Sequence, residues 1–258
     1  MNYYIVTGAS RGLGAALARL LIQRGATVIG ISRSSNHSLQ PATSAVPPAS
    51  GRFIEVLVDL AAATRIPEAV ADALSQVEWP RAEAVVLVNN AGVIDPIGPI
   101  DMVDAYALDR HLRVNLNAPL LLTASFLRHT RSATVPRTVV NVSSGASQSP
   151  YAGWSAYCSA KAGLNMLTRT VAEEQASAPN PARVIAVAPS VVDTTMQDTI
   201  RATPAEHFPR KEKFVTLKNE GGLVSPEKAA ARLLRAIEDP TIPSGEYADL
   251  RRKYGSDG

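Results

Sequence analysis

Cysteine is nearly absent from this chain: Cys158 is the single one in 258 residues. That excludes an internal disulfide and any cysteine-based metal cluster. Histidine is scarce, and His37, His111, His129 and His207 show no ligand spacing, so no metal is expected. Aromatic residues make up 5% of the chain, and no basic helix stripe interleaves with them, so nothing points to nucleic acid. No apolar run approaches the ~18 residues of a membrane span. The chain begins on a strand pattern rather than a charged segment followed by an apolar one, which predicts a soluble cytoplasmic protein without a signal peptide. What is present is 46% hydrophobic residues, 19% charged residues and a net charge of +3. This suits one domain over residues 1–258 with a sizeable core.

Tyr3 to Thr7 is a short apolar run, and helical periodicity follows through Leu13, Leu17, Leu20 and Leu21 until Gly25. Between them lies Thr7-Gly8-Ala9-Ser10-Arg11-Gly12-Leu13-Gly14. A strand, a glycine-rich turn and a helix in that order let the backbone approach a pyrophosphate, and free N–H groups at the helix start would bind it. Gly8, Ser10, Arg11, Gly12, Leu13 and Gly14 are the candidate cofactor loop. The second strand, Thr27 to Ser32, runs into Ser32-Arg33-Ser34. Dinucleotide sites usually place a carboxylate there, ~20 residues beyond the glycines, to bind the ribose diol. Here no carboxylate would repel a 2′-phosphate, and Arg33 and Arg11 offer guanidinium groups for one. The expected cofactor is NADP(H), with Ser32, Arg33 and Ser34 at its phosphate.

Residues 34–51 are rich in Ser, Pro and Ala and read as a surface loop. Strands are expected at Phe53 to Val58, Ala84 to Val88, Arg137 to Val142, Arg183 to Ala188 and Ser244 to Leu250. Their continuous apolar runs suit a parallel sheet buried on both faces. Helical patterns alternate with them: Glu68 to Val77, one long or two joined helices from Asp101 to His129, Trp154 to Ala178, and Glu227 to Glu238 capped by Ser225. The expected fold is an α/β doubly wound parallel sheet of Rossmann type in one domain. Asn115 interrupts the Asp101–His129 pattern, where an amide competes with backbone hydrogen bonds. It is either tied to a neighbouring carbonyl or aimed at a site. Residues 195–222 hold few periodic apolar positions and many charges, and read as a mobile lid. Residues 251–258 read as a frayed tail.

Asn89-Asn90-Ala91-Gly92 and Ser143-Ser144 stand at the carboxyl ends of strands, where open α/β sheets bind ligands. Tyr157 and Lys161 are four apart on a helix and share a face. The ammonium group is expected to lower the phenol's pKa from its usual ~10 and make an acid/base device.

Taken together, these motifs resemble the short-chain dehydrogenases/reductases. The resemblance covers Thr7 to Gly14, Asp59-Leu60, Asn89 to Gly92, Asn115, Ser144, Tyr157 with Lys161, and Pro189 to Thr194, in family order over residues 1–195. It implies a catalytic set of Asn115, Ser144, Tyr157 and Lys161, with Ser144 rather than Ser143 at the family's usual distance from the tyrosine. It implies that Asp59 bonds the adenine ring beside Leu60, and that Asn90, Ala91 and Gly92 pack on the adenosine half. Pro189, Val192 and Thr194 would hold the nicotinamide, and Lys161 its ribose beside Tyr157. Ser190 departs from the family's glycine, and a negative φ would let it fit.

The stretch Ser149 to Cys158 resembles more narrowly the branch of sepiapterin and benzil reductases. This implies NADPH-dependent reduction of a ketone or 1,2-dicarbonyl, with Tyr157 as proton donor and Asn115 positioning a water. Ser144, Tyr151, Trp154 and Met196 would line the substrate pocket. Asp249 would anchor the substrate, as in the sepiapterin reductases. Other readings are a reductase of a 3-oxoacyl thioester or sugar, for which Arg210, Lys211 and Lys213 could dock a carrier protein, and a non-catalytic NADP(H) sensor. Family members usually pair through their long helices, here around Leu108 to Leu120 and Trp154 to Val171, so a homodimer or homotetramer is expected.

Overall fold

The computed structural model describes residues 1–39 and 51–255. Residues 40–50, most of the expected surface loop, and residues 256–258 of the expected tail lie outside the described residues. Seven strands form one sheet: β1 Asn2–Thr7, β2 Thr27–Ser32, β3 Phe53–Leu57, β4 Ala84–Asn89, β5 Arg137–Val142, β6 Arg183–Ala188 and β7 Tyr247–Asp249. Their order is β3-β2-β1-β4-β5-β6-β7 and every neighbouring pair is parallel. The helices are α1 Gly12–Gln23, α2 Ile66–Ser75, α3 Ala105–Leu112, α4 Ala118–His129, α5 Ser155–Ala176, α6 Thr195–Ala202, α7 Lys211–Asn219, α8 Pro226–Glu238 and α9 Leu250–Tyr254.

Alternation along the strands divides the core in two. Tyr4 and Val6 of β1 face one side with Leu17 and Leu21 of α1 and Leu233 and Leu234 of α8. Tyr3 and Ile5 face the other side with Ile66 and Val70 of α2, Leu122 and Phe126 of α4 and Val171 of α5. Burial on both faces explains why these strands read as unbroken apolar runs. A third cluster joins Trp154, Tyr157, Ile200, Phe208 and Phe214 above the carboxyl ends of the strands.

Three local readings need correction. The long helix is two, because Asp104 caps α3 by accepting from the Ala107 N–H at 2.8 Å, and a π-helical turn, Arg113–Asn117, separates it from α4. Its expected apolar face is largely exposed: Met102, Leu112 and Leu120 are open, while Val114, Ala118, Leu122 and Phe126 are buried. The tail is anchored as far as its helix. Tyr254 in α9 is buried, and its hydroxyl donates to Asp239 Oδ2 at 2.6 Å. Finally, residues 195–222 contain two helices. Their few apolar side chains, Ile200, Phe208 and Phe214, are all buried in the third cluster. The ends of this segment meet where Val192 bridges Val224 and the Asp193 N–H donates to the Val224 carbonyl at 2.8 Å.

Candidate active site

A cavity of about 720 Å³ runs along the carboxyl edge of the sheet, from the turn after β1 to the aromatic cluster under α6 and α7. Its cofactor end is built by local sequence. Gly14 packs so close to the turn that a Cβ there would lie 2.3 Å from the Gly8 carbonyl oxygen. A side chain would therefore push α1 off the strand. Arg11, the residue before α1, makes no side-chain cap, and the first turn carries no acidic residue, so the N–H groups at the helix start are available to an anion. Gly8, Ser10, Arg11, Gly12 and Leu13 line the cavity, while Gly14 lies behind them. Ser32 and Arg33 line it at the end of β2, and Ser34 does not. Arg11 and Arg33 are exposed and make no ion pair among the described residues. Asp59 is in the wall next to Leu60, but it is engaged: Arg110 approaches to 3.6 Å, and Oδ1 accepts from the Ala61 N–H at 3.0 Å.

Asn90 ties the turn after β4 to the one after β1. Its backbone N–H donates to Thr7 Oγ1 at 2.9 Å, and its Nδ2 donates to the Thr7 carbonyl at 2.9 Å. Ala91 and Gly92 complete that wall. Pro189, Val192 and Thr194 line the opposite side. Ser190 between them has φ +80, so the serine adopts the left-handed conformation of the glycine it replaces, contrary to the expected negative φ. Its Oγ is also buried without a partner. The turn geometry is kept at the expense of backbone strain of about 1–3 kcal/mol.

The reacting groups converge at the other end. Ser144 and Tyr157 are hydrogen-bonded through their side chains, whereas Ser143 Oγ donates to the Lys161 carbonyl at 3.5 Å. That separates the two serines. Lys161 is buried, donates to the Val142 carbonyl at 2.8 Å and lies 5.7 Å from the Tyr157 ring centroid. Burial lowers its pKa to about 8. Burial also raises the Tyr157 pKa, against a smaller lowering from the Ser144 hydrogen bond. This reverses the sequence expectation, because desolvation of the phenolate outweighs the help of a cation at this distance.

Asn115 does not reach the cavity wall. It lies behind Gly92 in the π-helical turn, and its carboxamide is spent on the Val93 backbone: Oδ1 accepts from the N–H at 2.9 Å and Nδ2 donates to the carbonyl at 2.7 Å.

Over the reacting groups, Trp154 stacks on Tyr151 at 5.1 Å and on Phe208 at 4.6 Å, and meets the Tyr157 ring edge-on at 5.4 Å. Gly153 admits this packing, since a Cβ there would lie 2.2 Å from the His207 carbonyl oxygen. Tyr151, Trp154, Met196 and Asp249 all line the cavity, as do Gln197, Lys213 and Phe214, which sequence reasoning did not select. The only sequence sign of the phenylalanines was that two of the chain's four, Phe208 and Phe214, fall in a charged segment. Asp249 caps α9, with Oδ1 accepting from Arg251 and Arg252 N–H groups at 3.0 and 3.4 Å. Among the described residues there is no cluster of three metal-ligating side chains, and no helix is long and apolar enough to cross a membrane.

Known proteins agree with this architecture. Residues 2–205 match the short chain dehydrogenase family. The chain is 38% identical over 246 residues to benzil reductase ((S)-benzoin forming) of Bacillus cereus, covering 95% of this chain and 98% of that one. It is 33% identical over 254 residues to sepiapterin reductase of Bos taurus, covering 95% and 93%. Among solved structures, the KRED1-Pglu enzyme superimposes with a TM-score of 0.78 at 32% identity, over 96% of this chain and all of that one. With its parallel sheet, glycine turn and buried Ser-Tyr-Lys group, the chain belongs to the short-chain dehydrogenase/reductase family of oxidoreductases, whose members use NAD(P)(H).

Proposed function

We propose that the protein is an NADPH-dependent carbonyl reductase acting on a ketone or 1,2-dicarbonyl of the benzil type. The observation that carries this reading is a buried, hydrogen-bonded Ser144–Tyr157 pair under an aromatic wall. The cavity suits a dinucleotide: the close Gly8–Gly14 approach leaves a backbone cradle, α1 offers uncapped N–H groups, and Arg11 and Arg33 are free to take a 2′-phosphate. Asn90, Ala91 and Gly92 would flank the adenosine half, Thr194 and the Val192 backbone the carboxamide, and Lys161 the nicotinamide ribose. When bound, the reduced nicotinamide supplies the hydride.

The chain's own residues manage the charge that results. Ser144 and Tyr157 hydroxyls donate to the carbonyl oxygen as it becomes negative, and Tyr157 gives up its proton to it. A phenol whose pKa is raised by burial stays protonated at neutral pH, which is the form reduction needs. Lys161, charged below about pH 8, stabilises the phenolate left behind. The stacked Tyr151 and Trp154 favour a flat aromatic substrate. The helix-capping role of Asp249 weighs against a pterin anchor and towards a diketone. The α6–α7 segment acts as the lid, with Phe208 and Phe214 as its inner face. The exposed Met102, Leu112, Leu120 and Met166 form the face through which copies associate.

The test is NADPH oxidation with benzil, a simple 1,2-diketone and sepiapterin, with NADH in parallel. Turnover of a dicarbonyl with NADPH is expected. Tight NADPH binding without turnover on any carbonyl would favour a sensor instead.

A further inference from the structure

We propose that His111 is a positioning residue of this active site: as the neutral Nδ1-protonated tautomer, it clamps the Asn115 side chain and the edge of the Tyr157 ring. The inference rests on the reductase reading. It starts from a residue with no assigned part. His111 ends α3, one helical turn before Asn115, and is completely buried. A buried imidazole needs partners for both nitrogens, and both are present. Nδ1 lies 2.7 Å from the Asp95 carbonyl oxygen, and Nε2 lies 2.7 Å from Asn115 Nδ2.

The donors and acceptors leave one solution. The Val93 N–H can only donate and its carbonyl can only accept, which sets the orientation of the Asn115 carboxamide. Nδ2 therefore faces His111, and an amide nitrogen only donates, so Nε2 must be unprotonated. The Asp95 carbonyl only accepts, so Nδ1 must carry the hydrogen. All three polar contacts of Asn115 are then used, and the π-helical turn is pinned to the chain after β4. On its other side the ring meets Tyr157 edge-on at 6.0 Å. One side chain thus braces two of the four proposed catalytic residues.

Protonation would break the clamp, because two N–H groups would then face each other across 2.7 Å. The titratable groups bearing on the ring are Asp95 from the chain after β4, and Tyr157 and Lys161 from α5. Burial and Lys161 lower the imidazole pKa, while Asp95 raises it, with burial the largest influence. The clamp therefore holds at neutral pH and fails in acid. Tyr157 and Lys161 gain protons in acid and become the forms reduction uses, so neither accounts for an acid limb.

The experiment compares the wild type with His111→Phe and His111→Gln. Phenylalanine keeps a ring against Tyr157 without the hydrogen bonds, whereas glutamine can donate to Asp95 and accept from Asn115 without titrating. His111→Phe is expected to lower kcat by about 10- to 100-fold with little change in the KM for NADPH, as displacement of a reacting group does. His111→Gln should restore most of kcat and lose the wild type's reversible decline in acid. Long-range ¹H–¹⁵N correlation spectra should show a neutral Nδ1–H tautomer for His111 at pH 7. Unchanged kcat and pH profile in His111→Phe, or an Nε2–H tautomer, would overturn the clamp. If His111→Phe does not fold, the tautomer and the His111→Gln acid limb decide the question. A wild type that reduces no carbonyl counts against the reductase reading, while the spectra still read the clamp directly.

Discussion

The two ends of the cavity are built in opposite ways. At the cofactor end, a contiguous stretch from Gly8 to Gly14 and the end of β2 supply backbone donors and exposed cations. At the substrate end, Tyr151 and Trp154 before α5, Phe208 between α6 and α7, and Phe214 in α7 meet through ring stacking. Local backbone conformation creates the first end. Long-range apolar burial creates the second, where each aromatic pair adds about 0.5–1.5 kcal/mol beyond its buried area. The first end should therefore respond to charge and salt, and the second to packing.

Tyr157→Phe gives the largest expected effect and sharpens this contrast at the point where the two ends meet. Turnover should fall about 10³-fold or more while NADPH binding, measured by calorimetry, hardly changes. Retained turnover would remove Tyr157 as the proton donor. Phe208→Ala should destabilise the protein by about 3 kcal/mol in urea unfolding and raise the KM for the carbonyl. NADPH affinity should stay within about twofold, and a parallel loss of it would show that the two ends are coupled rather than separate.

Arg33→Ala acts at the other end. It should weaken NADPH by about tenfold or more and leave NADH nearly unchanged, as expected for the loss of a charge-assisted bond to a 2′-phosphate. Equal losses for both cofactors would break the electrostatic account. A pH series tests Lys161, the residue shared by both ends. Its proton leaves the folded protein as pH rises through about 8, so kcat should decline there rather than near the ordinary value of 10.5. Over the same window stability should rise, because the unfolded chain still holds that proton and the folded chain does not. Ser190→Gly is expected to give the smallest change. Removing a left-handed serine with an unpartnered buried hydroxyl should stabilise the fold by about 1 kcal/mol with turnover kept. A drop in turnover would give that hydroxyl a role in the site.

Much of this could be read without coordinates. The seven parallel strands follow from apolar runs bounded by glycine turns, and the cofactor end follows from glycine spacing, because both depend on neighbours in the chain. The Tyr157–Lys161 pair was visible for the same reason, since helical spacing puts the two on one face. The exposed Leu112 and Leu120 were misread as an inward face because the π-helical turn shifts the phase that periodicity assumes. The tail and the charged segment of residues 195–222 were misread because each is held by a few isolated side chains, Tyr254 on Asp239 and Phe208 and Phe214 on Trp154.

The sequence by itself thus determined the sheet, the glycine cradle and the identity of the reacting pair, all consequences of local spacing and of backbone sterics. Only the tertiary structure decided which way the phenol's pKa moves, that Asn115 turns to the Val93 backbone and His111, and that Asp249 serves as a cap. Those outcomes depend on desolvation and on hydrogen-bond partners from distant segments, and neither is written in the order of residues along any one segment.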